Sequence, residues 1–258
     1  MAPPTRPVVL VTGAARRIGR VIALDLAAHG HDIALHCHRP SAEADATRDE
    51  LRALGARAEV FAADLADEAA CRALLPAAAE RFGRVDALVN NASRFAYDDA
   101  ASFGHAEMER HWRVNAAAPV LLARALHEHL AARDARGCVV NLLDQKLANP
   151  NPDYFSYTLS KAALQSATAM LAQALAPRLR VCAVAPGVTL PSGDMDDADF
   201  AAAQQLSPLR RGATPEDIAA AARYLLGAHA VTGATLLVDG GQHLAAQPRD
   251  VAFLVRSA

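Results

Sequence analysis

Short apolar segments that resemble β-strands alternate with amphipathic segments that resemble α-helices along almost the whole chain, and this alternation constrains the fold most. The strand-like segments are rich in branched apolar residues and lie at 8–11, 32–37, 58–61, 87–90, 138–142, 180–184 and 236–238. Strands that alternate with helices predict βαβ units with right-handed crossovers. The predicted fold class is therefore α/β, a doubly wound parallel sheet of about seven strands with helices on both faces.

The predicted helices lie at about 17–29, 41–54, 67–82, 107–132 and 157–175, and a last helix begins at Pro215. A chain of 258 residues suits one large domain better than two small ones, so residues 1–258 are expected to form a single domain. Residues 190–213 have weak periodicity and several glycine, proline, serine and aspartate residues. We expect this segment to be a substrate loop or lid, because long loops often carry function.

Composition and charge exclude several classes of protein. The net charge is −2, so the chain has no basic field that would attract nucleic acid. The chain has no run of 18 apolar residues, so no membrane helix is predicted. Residues 1–7 do not resemble a signal peptide, so a cytoplasmic location is expected by default. The four cysteines lie far apart in the sequence, which argues against a zinc or thioredoxin-like site.

Two glycines separate the first predicted strand from the first predicted helix, in Thr12-Gly13-Ala14-Ala15-Arg16-Arg17-Ile18-Gly19. Gly13 allows a tight turn, and Gly19 allows the helix to pack closely on the strand. The free N–H groups at the helix start can then bind a pyrophosphate. The loop predicts a dinucleotide site at Gly13, Arg17, Ile18 and Gly19, with Arg17 as a cation beside the phosphates. The predicted fold is thus a single-domain Rossmann fold.

The end of the second strand indicates which nicotinamide cofactor binds. A site that prefers NAD carries Asp or Glu there to bind the ribose 2′-hydroxyl, whereas this chain has His36-Cys37-His38-Arg39 and no acid before Glu43. Arg39 can bind a 2′-phosphate, so NADPH is the predicted cofactor, with His38 and Arg39 in its site. A metal site on His36 and His38 is an alternative, but no third ligand supports it, and no metal is predicted.

Tyr157 and Lys161 lie four residues apart at the start of a predicted helix and therefore share one helix face. The pKa of a free tyrosine is about 10, and a neighbouring ammonium stabilises the phenolate and lowers that pKa. A chance pair on the protein surface is the alternative. Because the pair follows a glycine loop and a βαβ pattern, we interpret it as an acid–base pair.

These motifs together resemble the short-chain dehydrogenase/reductase family in order and spacing, over about residues 7–245. Besides the glycine loop and the Tyr–Lys pair, the match includes Asn90-Asn91-Ala92, Asn115, Pro186-Gly187 and Val238-Asp239-Gly240-Gly241. The resemblance implies that Tyr157 donates a proton, that Lys161 binds the nicotinamide ribose, and that Asn115 supports the proton relay. It also implies a homotetramer. The further residues implied to contact the cofactor are Asp64, Leu65, Asn91, Ala92, Ser93, Pro186 and Gly187.

Asp144 departs from the family at large, because it stands where the family has a catalytic serine, before Tyr157. Pteridine reductases and the similar dihydromonapterin reductases carry this aspartate, and the chain also resembles them at Arg17 and over residues 90–95. The resemblance implies that Phe95 stacks on a flat pterin; a core position for this ring is the alternative. The residues implied to contact the substrate are Arg17, Ser93, Phe95, Asp144 and Tyr157.

The predicted function is hydride transfer from NADPH to a C=N bond of a pterin, with Asp144 and Tyr157 supplying the proton. One alternative is a reductase of an aldehyde, ketone or quinone with the same fold. A second alternative is a non-catalytic protein that senses NADPH. The presence of Tyr157 and Lys161 argues against the second alternative, since a sensor needs no acid–base pair.

Overall fold

The computed structural model of the protein describes residues 6–191 and 195–255. The strands in these ranges are Val8–Val11 (β1), Asp32–Cys37 (β2), Ala58–Ala62 (β3), Ala87–Asn90 (β4), Gly137–Leu142 (β5), Leu179–Pro186 (β6) and Thr235–Val238 (β7). They form one parallel sheet with the order β3-β2-β1-β4-β5-β6-β7. The predicted fold class is confirmed.

The α-helices of the described residues are Arg17–Ala28 (α1), Ala42–Ala53 (α2), Glu68–Phe82 (α3), His105–Trp112 (α4), Ala118–Ala132 (α5), Phe155–Ala174 (α6), Asp197–Gln205 (α7), Pro215–Gly227 (α8) and Val251–Leu254 (α9). A π-helical turn, Arg113–Ala117, joins α4 to α5, so the predicted helix 107–132 contains a wider turn. Short 3₁₀ helices lie at Gln145–Ala148 and Gln242–Leu244. Within the described ranges, no helix has the length and apolarity needed to cross a bilayer.

The segment 190–213 differs from the expected loop, because it contains α7. The side chain of Asp196 caps this helix by accepting a hydrogen bond from the backbone N–H of Asp199 at 2.8 Å. Apolar periodicity did not predict it, since most of α7 is alanine, aspartate and glutamine. Residues 192–194 of the same segment lie outside the described residues.

Two groups of helices cover the two faces of the sheet. Val9 and Val11 of β1 pack in one core cluster with residues of α1, α2 and α8. Val8 and Leu10 point to the other face and pack with residues of α3 and α5. A strand buried on both faces has to be apolar throughout, which explains why β1 was readily predicted. The strand order reverses between β1 and β4, and such a reversal opens a crevice at the carboxyl ends of the strands.

Candidate active site

A cleft of about 990 Å³ lies at the carboxyl ends of the strands. The predicted site residues that line it are Gly13, Arg17, Ile18, Gly19, His38, Asp64, Leu65, Asn91, Ala92, Ser93, Phe95, Asp144, Tyr157, Lys161, Pro186 and Gly187. Two predicted residues are not among its lining: Arg39 is exposed outside it, and Asn115 is buried behind it. The fold therefore brings together segments that lie up to about 170 residues apart in the sequence.

Helix α1 begins at the cleft with an N-terminus suited to an anion. Its N-cap residue, Arg16, makes no side-chain cap, and the first turn contains no acidic residue. The N–H groups of this turn and the helix dipole therefore favour a negatively charged group. Arg17 has a left-handed backbone with φ +53°, at the position where the family has glycine. These donors and the two arginines fit a pyrophosphate.

The glycines of the loop lie where a Cβ atom has no room. Gly13 has φ +63°, and an added Cβ would lie 3.0 Å from the Cα of Ala92. An added Cβ at Gly19 would overlap the carbonyl oxygen of Gly13 and the side-chain amide of Asn91. The predicted roles of these glycines in a tight turn and in close packing agree with this geometry.

Thr12 and Asn91 tie the glycine loop to the segment after β4. The hydroxyl of Thr12 accepts hydrogen bonds from the backbone N–H groups of Asn91 and Ala92, each at 3.0 Å. The Asn91 amide donates to the carbonyls of Thr12 at 2.9 Å and Gly13 at 3.1 Å. Thr12 and Asn91 thus fix the shape of the loop. Thr12 was not among the predicted site residues.

His36 supports the same loop from β2. Its Nδ1 accepts a hydrogen bond from the backbone N–H of Gly13 at 3.2 Å, and its Nε2 lies 3.0 Å from the carbonyl oxygen of Ala63. Burial lowers the pKa of His36 to about 4, so its ring is neutral at physiological pH. The metal alternative for His36 and His38 fails on this geometry, because both ring nitrogens of His36 are engaged.

The end of the cleft beside the carboxyl end of β2 has basic side chains, and the sequence has no acid from His36 to Ala42. Arg16 and His38 line this end, whereas the predicted ligand Arg39 is exposed beyond it. The Nε2 of His38 lies 3.8 Å from the carboxylate of Asp64. Arg16 was not among the predicted site residues, although it stands beside Arg17 in the glycine loop.

Asp144, Tyr157 and Lys161 meet near the middle of the cleft. The hydroxyl of Tyr157 donates to Oδ2 of Asp144 at 2.8 Å, and Oδ1 of Asp144 accepts from the backbone N–H of Lys146 at 2.8 Å. The Nζ of Lys161 donates to the carbonyl of Leu142 at 2.7 Å and lies 5.8 Å from the centroid of the Tyr157 ring. The two residues predicted to share a helix face therefore do so, with Asp144 hydrogen-bonded to Tyr157.

Burial sets the proton affinities of these three groups. It raises the pKa of Asp144 above its ordinary value and lowers the pKa of Lys161 to about 8. Burial, together with the charge of Asp144, raises the pKa of Tyr157 well above its ordinary value. The predicted lowering of the Tyr157 pKa by Lys161 is therefore wrong for this geometry. Burial thus shifts Asp144 and Tyr157 towards their protonated forms, which can donate a proton.

Asn115 lies in the π-helical turn and holds the segment after β4 against α6. Its Oδ1 accepts from the backbone N–H of Arg94 at 2.7 Å and from the hydroxyl of Ser93 at 3.3 Å. Its Nδ2 donates to the carbonyl of Arg94 at 2.9 Å and to the hydroxyl of Ser160 at 3.0 Å. These contacts use both ends of the side-chain amide to position the segment, and the expected support of a proton relay by Asn115 stays a prediction.

Phe95 lies at the cleft surface with 44% of its area exposed, so the alternative of a core aromatic is excluded. Its ring stacks on Tyr154 with a centroid distance of 4.3 Å and contacts Tyr157 edge-to-face at 4.8 Å. An exposed ring in contact with the Tyr157 ring provides an apolar surface for a flat ligand.

Comparison with known proteins agrees with this geometry. Residues 13–243 match a family model described as enoyl-(acyl carrier protein) reductase. The chain is similar to the crystal structure of FolM alternative dihydrofolate reductase 1 from Brucella canis complexed with NADP, with 43% identity, a TM-score of 0.90, and coverage of 95% of this chain and 97% of that chain.

Two curated relatives differ in the activities that their names give. Pteridine reductase 1 from Leishmania tarentolae is 32% identical, over 93% of this chain and 98% of its own length. Glucose 1-dehydrogenase 2 from Bacillus subtilis is 31% identical, over 93% of this chain and 96% of its own length. The resemblance to pteridine reductases that the motifs predicted is confirmed, and the relatives do not agree on a substrate.

Proposed function

Because the chain belongs to the short-chain dehydrogenase/reductase family and is an oxidoreductase, we propose that it reduces a C=N bond of a pterin with NADPH. The observation that carries the proposal is the 2.8 Å hydrogen bond from Tyr157 to Asp144, in a cleft that also exposes Phe95. This pair presents a proton donor, and Phe95 presents a flat apolar surface beside it. NADPH, when bound, supplies the hydride.

The proposed cofactor site follows the cleft from β2 to α6. The N-terminus of α1 and Arg17 hold the pyrophosphate, and Arg16 and Arg39 neutralise the 2′-phosphate. The absence of an acid at the end of β2 supports NADPH over NADH. In this proposal, Lys161 binds the nicotinamide ribose. The remaining cofactor contacts are Ile18, His38, Asp64, Leu65, Ala92, Ser93, Pro186 and Gly187.

Reduction of a C=N bond needs one proton at the nitrogen for each hydride at the carbon. With Asp144 protonated, its Oδ2–H donates to the Tyr157 oxygen, and the Tyr157 hydroxyl turns to the substrate. Tyr157 then gives its proton to the ring nitrogen and takes the proton of Asp144 in return. Burial favours the protonated carboxyl of Asp144, which suits it for this step. Solvent then returns a proton to Asp144. A C=N ring nitrogen is more basic than a carbonyl oxygen, so proton transfer from a carboxylic acid through Tyr157 suits a pterin better than a ketone.

The segment 190–213 is proposed to close over the substrate. Leu190, Pro191 and Met195 line the cleft, and the guanidinium of Arg17 donates to the carbonyl of Pro191 at 2.9 Å. Arg17 is therefore placed between the proposed pyrophosphate site and this segment, where it can also contact a substrate oxygen. The proposed substrate contacts remain Arg17, Ser93, Phe95, Asp144 and Tyr157.

A homotetramer is the proposed assembly. Helices α4 and α6 pack together and leave Trp112, Leu159 and Met170 exposed. Exposed large apolar side chains on neighbouring helices favour contact with another protein surface. The common assembly of the family supports a second copy of this chain as the partner.

Reduction of a carbonyl compound is the second candidate, and the similarity to glucose 1-dehydrogenase 2 favours it. The deciding experiment follows oxidation of NADPH and of NADH with dihydrobiopterin, dihydromonapterin, dihydrofolate and simple ketones. The proposal predicts the highest kcat/KM for a pterin compound with NADPH. A higher kcat/KM for a ketone would favour the second candidate, and equal use of both cofactors would contradict the proposed 2′-phosphate site.

A further inference from the structure

Lys146 is a buried lysine beside Asp144 that the proposed reaction does not use; only 4% of it is exposed. Its backbone N–H donates to Asp144 Oδ1 at 2.8 Å. Its Nζ donates to the carbonyl oxygen of Asp153 at 2.6 Å and lies 3.1 Å from Oδ2 of Asp250. A buried ammonium is costly without a counter-ion, and Asp250 supplies that counter-ion.

Asp250 belongs to the segment 249–254, which is distant from Lys146 in the sequence. The guanidinium of Arg249 forms a two-pronged ion pair with the buried carboxylate of Asp153, with both N–O distances at 2.8 Å. The backbone N–H of Asp250 donates to the same carboxylate at 2.7 Å. These contacts dock the segment at the cleft, which Lys146, Arg249 and Asp250 all line.

The charged and titratable groups that face Asp144 come from three elements. Lys146 comes from the 3₁₀ helix after β5, Tyr157 and Lys161 come from α6, and Asp250 comes from the segment 249–254. Burial is the largest cause of the raised pKa of Asp144; the charge of Asp250 raises this pKa further, and the charge of Lys146 lowers it. The charge of Asp250 also raises the pKa of Tyr157.

We infer that the Lys146–Asp250 ion pair positions Asp144 and balances the charge around it, so that the segment 249–254 is part of the active site. The side chain of Lys146, held by Asp250 and Asp153, fixes the backbone that donates to Oδ1 of Asp144. The other oxygen, Oδ2, is thereby left facing the hydroxyl of Tyr157. The significance for catalysis rests on the proposed function, in which Asp144 is a proton source.

Removal of either charge of the ion pair leaves the other one unbalanced beside Asp144. The two removals therefore shift the pKa of Asp144 in opposite directions. In Asp250→Asn, the remaining Lys146 ammonium favours the carboxylate of Asp144. In Lys146→Met, the remaining Asp250 carboxylate disfavours it. A merely structural role for the pair would give no such difference in sign.

The experiment is a ¹³C NMR titration of protein labelled at the aspartate carboxyl carbons, with Asp144→Asn used to identify the Asp144 signal. We expect the midpoint of the Asp144 titration to move to lower pH in Asp250→Asn and to higher pH in Lys146→Met, by about 1 pH unit each. The double variant returns the midpoint towards that of the parent. Arg249→Gln is the matched control, because it loosens the same segment and keeps both charges of the pair.

The inference is overturned if Asp250→Asn and Lys146→Met move the midpoint in the same direction, or if neither moves it more than Arg249→Gln does. The sign in either single variant decides, so one variant that fails to fold leaves the other as the test. The titration needs no turnover. A protein that reduces no pterin but shows the opposite shifts would contradict the proposed function and support this inference.

Discussion

At the scale of single residues, the proposed proton transfer involves two hydrogen-bonded oxygen atoms, the hydroxyl oxygen of Tyr157 and Oδ2 of Asp144. Burial raises the pKa of each group, and the charge that Asp144 carries when ionised raises the pKa of Tyr157 further. Lys161 donates to the carbonyl of Leu142 rather than to the phenol. In this arrangement Asp144 controls the proton of Tyr157 more directly than Lys161 does.

The first prediction concerns the hydroxyl of Tyr157. We expect Tyr157→Phe to lower kcat by a factor of about 10²–10⁴ or more, because the hydroxyl is the proposed proton donor. NADPH affinity, measured by fluorescence titration, should change little. Lys161→Ala is the comparison variant and should weaken NADPH binding. A Tyr157→Phe protein that keeps most of the parental kcat would show that the proton comes from another group.

The second prediction concerns the buried ammonium of Lys161, whose pKa is lowered from 10.5 to about 8, chiefly by burial. Between these two pH values the unfolded chain holds a proton that the folded chain has released, so folding becomes more favourable as pH rises. We expect the free energy of unfolding of the parent to rise relative to that of Lys161→Met, by on the order of 3 kcal/mol across this window.

Urea unfolding at matched protein concentration, from about pH 7 to about pH 10, measures this difference. Below about pH 8 the difference in the free energy of unfolding between the parent and Lys161→Met should be nearly constant. A difference that stays constant up to about pH 10 would show that Lys161 has an ordinary pKa in the folded protein.

Spacing along the sequence predicted the residues that lie near one another in the chain or at strand ends. Tyr157 and Lys161 share a helix face, and Asp144 follows a buried strand, so topology alone brings them together. The position of Arg39 outside the cleft lining and the contact of Lys146 with Asp250 could not be predicted. Both depend on how side chains pack between segments far apart in the sequence, which hydrophobic periodicity does not encode.

At the scale of elements, the contact between α1 and the loop after β4 determines the shape of the proposed cofactor site. We expect Gly19→Ala to destabilise the protein by about 1–3 kcal/mol and to weaken NADPH binding, because the new methyl group overlaps the Gly13 carbonyl and the Asn91 amide. Thermal unfolding and NADPH titration measure the two effects.

Gly227→Ala is the matched control for this substitution. Gly227 ends α8, and an added Cβ there has no neighbouring atom within 4 Å among the described residues. The same change should therefore be neutral or stabilise the helix by up to about 1 kcal/mol. If Gly19→Ala and Gly227→Ala had the same stability and the same NADPH affinity, neither property would depend on the close approach of α1 to the loop.

Elements with a strong apolar pattern were predictable, and those without one were not. Strands β1, β2 and β4 are buried on both faces, so their apolar runs are nearly continuous. The π-helical turn at residues 113–117 has a helical pattern on either side, and nothing in the sequence marks the wider turn. Helix α7 is rich in alanine and acidic residues and has little apolar periodicity.

At the scale of the whole molecule, the cleft lies at the reversal of strand order, and three of the exposed apolar residues, Trp112, Leu159 and Met170, lie on the packed helices α4 and α6. We expect a homotetramer in solution, with Trp112, Leu159 and Met170 near its interfaces. Light scattering coupled to size exclusion at micromolar concentration measures the mass. Trp112→Glu with Met170→Glu should lower the mass, since buried charges oppose association. A monomeric parent would contradict the expected assembly.

The central claim is that Asp144 and Tyr157 supply the proton for the reduction of a pterin. Its most direct test is the kcat/KM of Asp144→Ser for dihydrobiopterin and for a simple ketone. Serine restores the usual residue of the family and offers a neutral hydroxyl donor. The predicted result is a loss of about 10²–10⁴ in kcat/KM for dihydrobiopterin, without a matching loss for the ketone and with NADPH affinity little changed. Reduction of dihydrobiopterin by Asp144→Ser at the parental rate would contradict the claim.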